Sequence, residues 1–89
     1  MTNAGSWTIP ETPMVSNEVK EILEEATSSI QGSIFEPFAL IGTQVVAGVK
    51  YKILCKVTLV APNPEPKLSI VTIYKPLDGK AELEEMTDI

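Results

Sequence analysis

From Val15 to Ile30 the apolar residues Val15, Val19, Ile22, Leu23, Ala26 and Ile30 follow one another at steps of 4, 3, 1, 3 and 4, and Glu18, Lys20, Glu21, Glu24 and Glu25 fill the positions between them. A 3.6-residue period gathers the first set on one side and the second on the other, so the spacing predicts a single amphipathic helix whose stripe needs an apolar surface to cover it. Thr12-Pro13 reads as its start. Threonine would cap the first turn, and proline would sit at the first helical position, where its missing N–H costs nothing. Gly32 is a natural stop.

Beyond Gly32 the pattern changes. Ile34 to Val46 is apolar and rich in strand formers, with Pro37 confining its beginning to an edge or a bulge. After Gly48 the period becomes two: Val49, Tyr51, Ile53, Cys55, Val57 and Leu59 share one face, and Lys50, Lys52, Lys56 and Thr58 the other, with Leu54 out of step. That is a half-buried antiparallel strand. Ala61 to Pro66 holds three prolines in five residues and is predicted as a loop, since proline cannot donate to a ladder. Leu68 to Tyr74 reads as a third strand, Pro76-Leu77-Asp78-Gly79 as a turn, and Ala81 to Met86 as an acidic edge strand. A helix followed by a meander packs in one way, with the helix stripe across the apolar face of the sheet. The expected class is therefore α+β, one amphipathic helix on an antiparallel sheet of four strands, or five if a short N-terminal segment pairs as well. Residues 1–89 form one domain, residues 1–11 read as an extended leader, and no internal repeat is present.

Composition narrows the function. The chain has 89 residues, enough for one core with about 60–65% of the unfolded surface buried and no room for a cofactor domain. Its 7 basic residues are all lysine and face 12 acids, a net charge of −5 that argues against a nucleic-acid partner. The start, Met1 to Ser6, has neither a basic nor an apolar signal-like stretch, and no apolar run approaches the ~18–20 residues of a membrane span. A cytoplasmic location without membrane attachment is expected. With no histidine and one cysteine, there is no base to activate Cys55, no Cys/His set for zinc and no Gly-rich phosphate loop. Glu82, Glu84 and Glu85 could act as acid and base in principle, but a charge run is usually a solvated face. Cys55 falls in the inward series and reads as a small buried hydrophobe. Neither catalysis nor a metal or cofactor is expected.

The turn between the two longest strand runs is Gln44-Val45-Val46-Ala47-Gly48, of the form Gln-x-Val-x-Gly. An aromatic, Tyr51, stands three residues after its glycine, Gly5 precedes the helix, and Leu77-Asp78-Gly79 forms the later turn. In the order and spacing of these markers the chain resembles the stefins, the single-domain, disulfide-free branch of the cystatins, and the match covers nearly the whole chain. The resemblance implies a cystatin fold and reversible, tight-binding inhibition of papain-like, cathepsin-like cysteine proteases. Ala4 and Gly5 of the leader, Gln44, Val45, Val46, Ala47 and Gly48 of the first hairpin loop, and Leu77, Asp78 and Gly79 of the second would form an apolar wedge that fills the protease cleft. The resemblance also implies a monomer that can exchange elements into a domain-swapped dimer.

The residue types suit that role. Gly5 lets the backbone approach closely, Gly48 permits a tight reversal, and Val45, Val46 and Ala47 offer apolar surface that desolvates without stranding polar groups. Three departures from the family pattern stand out: Ala4 where stefins often carry a second glycine, polar Thr2 and Asn3 before it, and Asp78 in place of the usual proline. Trp7 would either pack on the sheet or extend the wedge. The competing reading is a cystatin-fold interaction module that binds a non-protease partner through the same loops, because fold alone does not fix function.

Overall fold

The computed structural model describes residues 6–89. In chain order the elements are β1 (Trp7–Thr8), α1 (Asn17–Thr27), β2 (Ser33–Val46), β3 (Gly48–Leu59), β4 (Pro66–Pro76) and β5 (Glu82–Asp88). The strands form a single antiparallel sheet in the order β1-β2-β3-β4-β5. The molecule is thus α+β, with one helix packed on a five-stranded meander, and the short N-terminal strand supplies the fifth member.

The helix begins later than the Thr12-Pro13 pattern predicts. Ser16 is the N-cap, its Oγ accepting from the Val19 N–H at 3.3 Å, and Glu18 places an acid in the first turn, where the helix dipole favours it. Thr12 Oγ1 instead accepts from the Met14 N–H in a local turn, and the Pro13 carbonyl accepts from the Leu40 N–H at 2.9 Å. Pro13 cannot both start a helix and tie the chain to the edge of β2, and the sheet contact wins. At the other end α1 stops at Thr27, ahead of Gly32. Gly32 lies in the turn before β2 with φ +83, and its carbonyl accepts from the Val60 N–H at the end of β3.

The stripe on α1 buries Val19, Ile22, Leu23 and Ala26 against Ile53, Cys55 and Val57 of β3, Val71 and Ile73 of β4, and Ala81. Val15, Phe35, Leu40, Tyr51 and Leu83 close the margin of this core. Each large aliphatic side chain removed from water in this way contributes about 1.5–3 kcal/mol, the main source of stability in a chain without a disulfide.

β2 needs two irregularities to keep its apolar residues inward, one between Pro37 and Ala39 and one between Leu40 and Gly42. Each leaves one residue, Phe38 or Ile41, outside the ladder and exposed. The first is where Pro37 limits pairing, as the sequence leads one to expect. Pro66 and Pro76 prove to be the first and last residues of β4, opposite Thr58 and Gly48, rather than part of the flanking loop and turn. A strand end is where a residue without an N–H is tolerated in a ladder.

Candidate functional site

The register of the strands decides where the sequence markers meet. Val46 pairs with Gly48, so only Ala47 lies outside the β2–β3 ladder at its tip. Gly48 also pairs with Pro76, which brings the turn 77–79 alongside that tip. Trp7 pairs with Gln44 and Thr8 with Thr43, and the antiparallel sense means that the chain enters β1 from the same end of the sheet. The first hairpin, the second hairpin and the approach to β1 therefore converge at one end of the molecule. Ala4 and Gly5 lie outside the described residues.

Gly48 is held in place by its surroundings as well as by its backbone. Its φ is +116, a region that side chains rarely adopt. A Cβ there would fall 2.3 Å from the Lys75 carbonyl oxygen and 2.9 Å from the Pro76 Cα, so the base of the first hairpin rests on the backbone at the base of the second. Tyr74 reinforces this junction, its hydroxyl donating to the Ala47 carbonyl at the hairpin tip. Nothing in the spacing of the sequence singles out Tyr74, because its partner becomes visible only once β3 and β4 are set in register, with Tyr74 opposite Lys50 on the face away from the helix.

The surface of this end is apolar at its tips. Val45 is 61% and Leu77 84% exposed, Ala47 and Asp78 are exposed, and Val46 and Gln44 are half-buried. Gly79, at φ +150, closes the second turn, and its carbonyl accepts from Lys75 Nζ at 2.6 Å. Behind the tips, Lys50 pairs with Glu84 at 2.8 Å.

Trp7 lies on the sheet. Its ring passes over Gly42, where a Cβ would come within 3.5 Å of it and 3.3 Å of the Thr8 carbonyl oxygen, and Lys52 Nζ sits 4.3 Å from the ring centroid. That geometry is a cation–π contact on a partly exposed ring. It fastens the end of the leader to β2 and β3. Gly42 belongs with the site for that reason, a role the sequence pattern did not signal.

Burial pushes the Cys55 thiol up to about 11, which keeps it protonated and weakly nucleophilic. Among the described residues no group of three His, Cys, Asp or Glu side chains is placed to hold a metal ion, and no helix is long and apolar enough to cross a membrane. What the hairpin end can do is present a firm apolar edge to a concave partner. No family model, curated protein or solved structure matches the chain.

Proposed function

We propose that this chain is a reversible, tight-binding inhibitor of papain-like cysteine proteases with a cystatin fold of the stefin kind. The observation that carries the reading is the convergence of three separate segments at one end of the sheet: the Gln-x-Val-x-Gly hairpin, the 77–79 turn and the entry to β1. In this reading Val45, Val46, Ala47 and Leu77 fill the apolar walls of the cleft, and inhibition is occlusion.

The chain resists becoming a substrate for a geometric reason. Cleavage needs an extended peptide whose scissile carbonyl can swing into the nucleophile. At the tip of the first hairpin the strands remain paired up to Val46 and Gly48, and the Ala47 carbonyl is engaged by Tyr74. A loop held this firmly also loses little conformational entropy on docking, so more of the apolar contact appears as affinity. The charge of Asp78, exposed in the second turn, favours a partner whose cleft is polar or open at that point.

The test is titration of papain, followed with a fluorogenic peptide substrate. One-to-one loss of activity, its recovery on dilution and the return of an uncleaved chain are expected. Undiminished papain activity at micromolar inhibitor would rule the reading out and leave the interaction module with a non-protease partner.

A further inference from the structure

A carboxylate on the helix reaches the second hairpin. Glu25 sits one turn beyond Ile22 at the margin of the buried stripe, and its Oε1 accepts from the Ala81 backbone N–H at 2.6 Å. The same oxygen lies 3.5 Å from Lys75 Nζ, and that ammonium donates to the Gly79 carbonyl at 2.6 Å. The turn 77–79 is therefore held at both feet: Lys75 on the way in and Ala81 on the way out are joined through one carboxylate that belongs to neither strand. A charged acceptor on a backbone N–H makes a stronger bond than a neutral one.

We infer that Glu25 is the positioning residue of the second hairpin, fixing through Ala81 and Lys75 the pose in which Leu77 is offered to the protease cleft. The consequence for inhibition rests on the inhibitor reading above, whereas the clamp rests on the geometry alone. Leu77 itself is 84% exposed, so the tip of the turn has little packing of its own, and Glu25 fixes it from its feet at Ala81 and Lys75. Lys75 on β4 and Lys80 after the turn are the cations that act on the carboxylate, and Glu18, Glu21 and Glu24 on α1, Tyr51 on β3 and Glu82 at the start of β5 line the surface grooves that Glu25 shares. The Ala81 N–H bond holds the Glu25 carboxyl below its ordinary 4.5; burial opposes it as the next largest effect, and the Lys75 and Lys80 ammonium groups add to the lowering. A carboxyl lowered on folding stabilises the folded form above its unfolded pKa, and that contribution disappears as the pH falls through the folded value. The clamp should therefore be firm at neutral pH and loosen as the pH falls through a folded value below 4.5.

Two readouts test this on the intact chain. In a proton–nitrogen correlation spectrum the Ala81 amide proton should lie downfield and move upfield on acidification with a midpoint below 4.5, and Glu25→Gln should abolish that titration. Against papain, Glu25→Ala should raise the inhibition constant about fivefold, mainly through faster dissociation. Glu25→Gln, which keeps an acceptor for Ala81, should recover part of the loss. An Ala81 amide indifferent to pH, or a Glu25→Ala protein that inhibits as well as the native chain, would overturn the inference. Failure of the native chain to inhibit papain would instead sink the inhibitor reading, and is seen before any variant is compared; the Ala81 titration then decides the clamp alone.

Discussion

A change at Val46 should be felt in binding, and one at Gly48 in folding. Val46 is half-buried beside the tip of the first hairpin, so a charge there keeps partial access to solvent in the free protein and would meet an apolar wall in the proposed complex. A carboxylate buried without a partner costs several kcal/mol or must take up a proton. Val46→Asp should therefore weaken papain inhibition by roughly tens of fold while leaving the thermal midpoint within a few degrees. Unchanged inhibition at unchanged stability would take the first hairpin out of the interface. Gly48→Ala should act on the fold instead. Its Cβ would collide with the Lys75 carbonyl at 2.3 Å in a strained backbone region, and a loss of about 2 kcal/mol or more is expected in urea denaturation. A neutral result there would mean that the two hairpin bases do not meet as described. Cys55 offers a third check, being fully buried with its thiol pushed up to about 11. Its reaction with a disulfide reagent at pH 8 should proceed no faster than unfolding; immediate labelling of the native protein would contradict its burial.

The elements differ in how plainly the sequence announced them. The period-two run of β3 and the stripe of α1 were legible because each sets a large apolar face against the other, and Val19, Ile22, Leu23 and Ala26 indeed meet Ile53, Cys55 and Val57. The start of the helix was not, because Thr12-Pro13 has the local chemistry of a cap while the Pro13 carbonyl is drawn to Leu40 at the edge of β2. A hydrogen bond between residues so far apart in sequence leaves no trace in local propensity. The site divides in the same way. The glycines and apolar tips could be read from their turns, whereas Tyr74, Gly42 and Glu25 act across strands or from the helix and depend on register. The leader is the weakest of the three segments by composition, since Thr2, Asn3 and Ala4 offer little apolar area to bury. Deletion of residues 1–5 should accordingly raise the inhibition constant less than Val46→Asp does. Should the truncated chain lose nearly all inhibition while Val46→Asp retains it, the order of importance within the wedge is reversed.

For the whole molecule, the longest hairpin is also the place where it can come apart. β2 and β3 are of strong strand propensity and joined through Ala47 alone, so opening that reversal would let 33–59 run as one continuous strand. Short hinges between strong strands favour exchange of identical elements between chains. Mild heating at high concentration should yield a dimer with native-like far-ultraviolet circular dichroism and little activity against papain, since the first hairpin is lost when it straightens. Isolated dimers as active per chain as monomers would contradict this. In the proposed inhibitor one end of the sheet, and no other described surface, enters the protease cleft. The measurement that bears on it most directly is a proton–nitrogen correlation spectrum of the labelled chain titrated with papain, with enzyme activity read from the same samples. Activity should vanish at one equivalent as resonances of residues 44–48, 77–79 and Trp7 shift or broaden, with those of the 61–65 loop at the far end unchanged. Perturbations centred on that loop or on the outer edge of β5, with the two hairpins untouched, would contradict it.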